Sequence, residues 1–179
     1  MASSSLCPSR GITLIESCCA LAIAAILVAL GAPDLGRLLV ERRLESAVHT
    51  LVADLRAARV LAAARGEPVR WTLRTAADGT CYMVHEARSG ACHCESGETS
   101  DCEDGSPPLR TVHLPASRGV TLQGNVSAIV FDPRLGTASP GATLHLVGSH
   151  GRALDCVVNI LGRVRVCSPE AMAPGHRRC

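Results

Sequence analysis

The chain from residue 12 to residue 32 is almost entirely hydrophobic, and Glu16 is its only charged residue. The run is about as long as the roughly 20 apolar residues that cross a hydrocarbon core. Further along, Leu, Val and Ala recur at steps of three and four residues, which is typical of an amphipathic helix. The pattern predicts one long helix from about Thr13 to Ala64, with a membrane-spanning part at 12–32 and an amphipathic continuation at 33–66.

After Gly66 and Pro68 the pattern changes to short runs with β-type alternation, separated by residues that favour turns. The predicted strands are 69–74, 81–85, 110–114, 120–122, 128–131 and 143–147, followed by a hairpin over 154–166. A helix followed by such strands indicates an α+β fold, in which the long N-terminal helix packs on a mostly antiparallel β-sheet. This β-rich domain is predicted over 67–179. The stretch 87–108, rich in Gly, Ser, Cys and acidic residues, is predicted to be an acidic surface loop.

Composition narrows the classes of function. The net charge is only +2. The electrostatic field of the whole protein therefore does not indicate a nucleic-acid partner. The chain holds one Trp, one Tyr and one Phe, so its core must rest on aliphatic side chains and would gain from disulfide bonds. The 7 histidines are scattered singly, and no nucleophile motif or phosphate-binding glycine loop is present. We therefore expect neither an enzyme nor a bound cofactor.

Cysteine usage predicts disulfide bonds in an exported domain. Arg10 precedes the hydrophobic run and the bulk of the chain follows it, which fits export of that bulk. An oxidising compartment makes disulfides the expected state of its cysteines. Of the 10 cysteines, Cys7, Cys18 and Cys19 precede residue 34, which leaves 7. Because 7 is odd, at least one thiol stays free or pairs between chains, and Cys179 is the candidate.

The predicted hairpin carries a predicted disulfide. Cys156 and Cys167 are equidistant in sequence from Leu161 and Gly162, so a turn there would place them opposite each other at bridging distance. Four further cysteines could form two bridges, by any of three pairings, that hold the acidic loop: Cys81, Cys92, Cys94 and Cys102. The alternative is a metal site at Cys92-His93-Cys94 with Cys102. Zinc sites usually separate paired cysteines by two to four residues, so no metal is expected.

The segment Arg10-Gly11-Ile12-Thr13-Leu14-Ile15-Glu16 resembles the processing site of type IV prepilins and type II secretion pseudopilins. In those proteins a prepilin peptidase cuts after the glycine and methylates the new amino terminus. The glutamate then pairs with the terminal amine of a neighbouring subunit during filament growth. The resemblance implies a leader peptide at 1–11, cleavage between Gly11 and Ile12 with N-methylation of Ile12, and an assembly role for Glu16.

Further motifs resemble the GspH/FimT group of minor pseudopilins: the helix segment 51–59, the step Phe131-Asp132-Pro133, and Gly162-Arg163-Val164-Arg165. The resemblance implies a single-pass protein of the bacterial inner membrane with its C-terminal domain in the periplasm. Implied partners are other major and minor pseudopilins, the prepilin peptidase and the inner-membrane assembly platform. The implied function is a part in a (pseudo)pilus that supports protein secretion, in a type II secretion system or a type IV pilus-like machine.

An alternative function is DNA binding. In some FimT-type members a Gly-Arg-x-Arg tail is associated with DNA binding during natural transformation, which would assign Gly162, Arg163 and Arg165 to that role. On a strand the two arginines project from one face, and guanidinium groups bind phosphate in a planar, bidentate way. Three other arginines could extend the patch: Arg152, Arg177 and Arg178. The competing interpretation is a solvated arginine face, and the scarcity of aromatic residues argues against a platform for single strands.

Overall fold

The computed structural model describes residues 13–94, 100–169 and 175–179, except the side chains of residues 30–34. The chain divides into two compact units, one up to Leu38 and one from Leu39 to Cys179. A single helix, α1, spans Leu14–Arg65 and so contributes to both units. The helix predicted over 12–32 is present from Leu14 onward. In the described ranges, however, no helix is both long and apolar enough to cross a membrane.

In the second unit, α1 turns one apolar stripe towards the strands. Its six most deeply buried positions follow one another at alternating steps of four and three residues, which keeps them on one face of a helix: Leu44, Val48, Leu51, Leu55, Ala58 and Ala62. The helix ends at Arg65. Gly66 follows with a φ of +69°, a left-handed conformation that commonly ends helices, and Pro68 cannot continue one. The predicted end of the helix is thus confirmed.

The strands of the second unit follow in chain order. They are β1 Val69–Ala76, β2 Gly79–Glu86, β3 Cys92–Cys94, β4 Ser100–Cys102, β5 Arg110–Pro115, β6 Val120–Gly124, β7 Ala128–Phe131, β8 Ala138–Ser139, β9 Ala142–Gly148, β10 Ala153–Val158 and β11 Val164–Cys167. Within the described residues they form a five-stranded sheet in the order β5-β2-β1-β7-β8, a four-stranded sheet in the order β11-β10-β9-β6, and the hairpin β3-β4. Every strand pair is antiparallel. The predicted α+β fold is confirmed, with two main sheets where one was expected.

Both larger sheets share one hydrophobic core with α1. The alternation of the strands sets which side chains enter it. In β9, for example, Leu144 and Leu146 are fully buried, while Thr143 and His145, which alternate with them, are not. The scarce aromatic residues all lie in the core, since Trp71, Tyr82 and Phe131 are at most 1% exposed.

The predicted acidic loop contains regular structure. A short 3-10 turn at Ala87–Ser89 precedes the hairpin of β3 and β4. Two disulfides hold this segment, Cys81–Cys94 and Cys92–Cys102, and the Ser100 hydroxyl lies 2.8 Å from that of Thr111 on β5. The prediction of two bridges among these four cysteines is confirmed, and this is one of the three possible pairings.

The predicted Cys156–Cys167 disulfide is wrong. Cys167 bonds to Cys179, and Cys156 is a free, buried thiol. The register of β10 and β11 pairs Cys156 with Val166 and Asp155 with Cys167. A shift of one residue moves a side chain to the opposite face of a sheet, so Cys156 faces the core and Cys167 does not. The expectation that Cys179 is the free thiol is wrong for the same reason.

Candidate assembly helix and arginine pocket

The start of α1 presents a carboxylate that has no partner among the described residues. Gly11 and Ile12, the predicted cleavage site, lie outside the described residues. Glu16 lies in the first turn of α1, and its backbone N–H lies 3.4 Å from the Thr13 hydroxyl oxygen, as expected for a capping threonine. Among the described residues the Glu16 carboxylate makes no hydrogen bond or ion pair. A negative charge near a helix N-terminus is favourable, but the carboxylate stays available to a cation from another molecule.

The first unit also exposes most of its large hydrophobic side chains. Leu14 is 84% exposed and Val28 70%. The others that the structure describes at the surface of this unit are Ile15, Leu21, Ile23, Ile26, Leu27, Leu35 and Leu38. An exposed apolar surface of this extent marks a site that contacts protein or lipid. We call the helical segment 14–38, with Glu16, the assembly helix.

Gly162 has a structural role that the sequence did not reveal. It lies in the turn between β10 and β11 with a φ of +71°, and its N–H donates to the carbonyl of Asn159 at 2.9 Å. A Cβ placed on Gly162 would overlap the carbonyl oxygen of Gly136, which also accepts a 2.8 Å hydrogen bond from Arg59 Nε. The glycine thus allows two turns and α1 to meet closely.

The arginines predicted to bind DNA are both exposed, but they differ in their surroundings. Arg163 precedes β11, and its N–H donates to Asn159 Oδ1 at 2.9 Å. Arg165 lies within β11 and lines a cavity of about 280 Å³. Arg177 and Arg178 line the same cavity, together with Val157, Val166 and the Cys167–Cys179 disulfide. We call this site the arginine pocket.

The arginines of the pocket are unpaired within the described part of the chain. No ion pair there engages Arg165, Arg177 or Arg178. Arg152 does not join them, because it is paired with Glu41 at 2.9 Å and with Glu45 at 3.7 Å. The pocket can therefore bind an anion through three guanidinium groups.

The predicted acidic loop, called the acidic segment below, is attached to the five-stranded sheet, whereas the arginine pocket lies beside the four-stranded sheet. Its disulfide to Cys81 and its hydroxyl contact with Thr111 join it to β2 and β5 of the five-stranded sheet. Arg165 lies on β11, an edge strand of the four-stranded sheet. The acidic segment is thus attached to different strands from those that carry the pocket.

A buried group at the cysteine-rich hairpin has the composition of a metal site. His85, Cys92 and Cys102 place their potential ligand atoms within 4.8 Å of one another. The two sulfurs are already bonded to each other, however. His85 is also engaged, since Nδ1 donates to the carbonyl of Glu86 and Nε2 accepts from the Thr72 hydroxyl, each at 2.9 Å. Burial lowers the pKa of His85, and Arg70 and Arg74 lower it further. This arrangement serves the structure of the hairpin.

Comparison with known proteins gives two kinds of match. A family model described as "Type II transport protein GspH" matches residues 47–162. Two crystal forms of the type IV minor pilin FimU from Pseudomonas aeruginosa strain PAO1 are similar in structure. One has a TM-score of 0.53 at 20% identity and covers 76% of this chain and 96% of FimU. The other has a TM-score of 0.50 at 19% identity, with coverage of 74% and 98%. No curated protein gives a significant match.

Proposed function

The chain belongs to the GspH family of type II transport proteins, and from this premise we propose that it is a minor pseudopilin that assembles through its assembly helix into a periplasmic filament. In this proposal residues 1–11 are a leader removed by a prepilin peptidase. Residues 12–32 then serve assembly, 33–66 continue the helix, and 67–179 form the periplasmic domain. The family is one of pilin-like structural proteins, and we extend this to the chain: its work is assembly and recognition in support of protein secretion.

The observation that carries the proposal is Glu16. A carboxylate surrounded by apolar side chains is costly to bury unless it finds an opposite charge. When the assembly helix packs among other helices, Glu16 needs such a partner, and the described residues of its own chain supply none. A free amine at Ile12 of a neighbouring subunit, created by cleavage after Gly11, has the required charge. Assembly and neutralisation of Glu16 would then be one event.

Cellular location belongs to the same proposal. We place the precursor in the inner membrane through residues 12–32, with the second unit in the periplasm. Two features support this placement: the exposed apolar side chains of the assembly helix, and the three disulfides of the second unit, which persist in oxidising compartments. Partners in this proposal are other major and minor pseudopilins, the prepilin peptidase and the assembly platform.

The test is the Glu16→Ala variant of the full chain, expressed in cells with the complete secretion or pilus machinery. Ser17→Ala is the matched control, since Ser17 is an exposed neighbour in the same turn. We expect both variants to reach the membrane and to begin at N-methylated Ile12 by mass spectrometry. Only Glu16→Ala should be missing from sheared filaments on immunoblots. Normal incorporation of Glu16→Ala would refute the assembly role.

A second candidate function is DNA binding for natural transformation. The observation that favours it is the arginine pocket, where Arg165 meets Arg177 and Arg178 without acidic partners in the described chain. Such a site would bind backbone phosphates, which carry little sequence information. A mobility-shift titration with the Arg163/Arg165→Ala double variant tests it, beside an Arg88/Arg118→Ala control of equal charge change. An unchanged shift in the first double variant would exclude these arginines from DNA binding.

A further inference from the structure

Among the described residues, three identified bonds attach the segment 175–179 to the end of β11. The N–H of Ser168 donates to the carbonyl of Arg177 at 2.8 Å, and the N–H of Cys179 donates to the carbonyl of Ser168 at 3.0 Å. The Cys167–Cys179 disulfide is the third bond and the only covalent one. Ser168 is itself buried, at 2% exposure. Arg177 and Arg178 owe their position beside Arg165 to these bonds.

Without the disulfide, Arg177 and Arg178 would be held beside Arg165 only weakly. Like charges close together repel, and the three guanidinium groups have no acidic partner among the described residues. The nearest buried carboxylate, Asp155, already binds His145 Nδ1 at 2.7 Å, and its other oxygen lies 3.8 Å from the sulfur of Cys179. Non-covalent contacts, including the two backbone hydrogen bonds, would then have to offset both the repulsion and the entropy of ordering the segment.

We propose that the Cys167–Cys179 disulfide builds the arginine pocket into a phosphate-binding site for double-stranded DNA, with Arg177 and Arg178 as essential members. The proposal rests on the DNA-binding candidate above and adds its regulation. The oxidised protein holds three guanidinium groups around one cavity, and each can bind a backbone phosphate in a bidentate way. The reduced protein keeps Arg165 alone on β11, so its affinity for DNA is low.

The experiment measures binding of a fluorescent DNA duplex to the full chain in detergent, by anisotropy over a salt series. The test variants are Cys179→Ser, Arg177/Arg178→Ala and Arg165→Ala. The controls are Arg118→Ala, an exposed arginine elsewhere, and Cys156→Ser, which removes a thiol without breaking a bond. Arg177/Arg178→Ala keeps every disulfide, so it tests the pocket even if Cys179→Ser folds poorly.

If the proposal is right, Cys179→Ser and Arg177/Arg178→Ala behave alike. Each lost phosphate contact lowers the slope of log K against log salt by about 0.9, so losing two should lower it by about two. At low salt the same loss weakens binding by roughly tenfold or more. Treating the wild type with a dithiol reductant should reproduce the loss, and the same treatment should leave Cys179→Ser unchanged.

The outcomes separate the two proposals. If Arg165→Ala loses DNA while Cys179→Ser and Arg177/Arg178→Ala keep the affinity and slope of the wild type, the role of the disulfide is overturned and DNA binding stands. If the wild type binds no DNA at low salt, or if Arg165→Ala binds as well as the wild type, both proposals fall. A loss in Cys156→Ser or Arg118→Ala equal to that in Cys179→Ser would also overturn the role of the pocket.

Discussion

Replacing Gly162 with alanine is expected to destabilise the second unit strongly, although the change adds only a single methyl group, because Gly162 is buried in its turn. Two separate costs apply. The φ of +71° is one that alanine adopts at a cost of about 1–2 kcal/mol. In addition, the new Cβ would overlap the carbonyl oxygen of Gly136 and lie 3.0 Å from Arg59 Nε.

The second cost is the larger one, because the obstructing atom belongs to the backbone. Relieving such an overlap requires a backbone shift, which typically costs about 1–3 kcal/mol. The shift would also disturb the 2.8 Å hydrogen bond from Arg59 Nε to Gly136. The sum predicts a loss of about 2–5 kcal/mol in the free energy of unfolding.

Gly151 is the matched control. It has a φ of +82°, but no atom lies within 4 Å of a Cβ placed there. Gly151→Ala therefore pays only the conformational cost of about 1–2 kcal/mol. Urea unfolding of residues 39–179, followed by fluorescence of the buried Trp71, measures both variants. With a typical m value of about 2 kcal/mol per molar urea, the two midpoints should differ by roughly 1 M.

Equal losses in the two variants would refute the close approach of the two turns. The same pair also tests the predicted DNA role of Gly162. Under conditions in which Gly162→Ala is fully folded, its affinity for DNA should equal that of the wild type, because the structure gives Gly162 a packing role. Weaker DNA binding together with a loss of stability no greater than that of Gly151→Ala would identify Gly162 as a contact residue.

Two further predictions concern buried titratable groups. Because burial lowers the pKa of His85 below its ordinary 6.5, the unfolded chain takes up this proton first as pH falls. The free energy of unfolding therefore decreases as the pH falls below about 6.5. In urea titrations at a series of pH values, His85→Gln should reduce this decrease, while the control variant of an exposed residue, His93→Gln, should not. Burial also raises the pKa of Cys156 to about 12, so at pH 8 a thiol reagent should label residues 39–179 only after unfolding, at one site that Cys156→Ser removes. Rapid labelling of the folded protein, or labelling of Cys179, would contradict the assigned pairing.

Local sequence patterns predicted the elements of the fold well. The buried stripe from Leu44 to Ala58 follows from helical spacing alone, and Gly66 with Pro68 marked where the helix ends. The same spacing placed Leu35, Leu38 and Leu39 on that stripe, but these three side chains are exposed. The division into two sheets was missed, because it depends on which strand edges stay unpaired. Strands β5 and β6 are consecutive in the chain, yet each forms the edge of a different sheet. Nothing in the alternation of either strand distinguishes that arrangement from a single sheet.

In the hairpin of β10 and β11, an error of one residue in the predicted turn changed which cysteines were expected to form a disulfide. Pairing of Val158 with Val164 leaves five residues, 159–163, between the two strands. The sequence suggested a turn centred between Leu161 and Gly162, and the two arrangements differ in register by one residue. Because of that difference, the Cys156 side chain lies in the core, and Cys167 forms its disulfide with Cys179. Cysteine pairing cannot be deduced from sequence alone. The arginine pocket could not be predicted either, because it depends on the Cys167–Cys179 pairing.

The disulfides connect stability with the proposed functions. A core with one Trp, one Tyr and one Phe has little aromatic surface to bury, and bridges that constrain the unfolded chain typically contribute about 2–4 kcal/mol each. Of the seven cysteines after residue 39, six are paired. In our proposal, a thiol–disulfide oxidant of the exported compartment takes two electrons and two protons from each cysteine pair. The disulfides formed in this way both stabilise the second unit and complete the arginine pocket. A precursor still in the reducing cytoplasm would then lack the pocket, so it could reach the membrane without binding the nucleic acids around it.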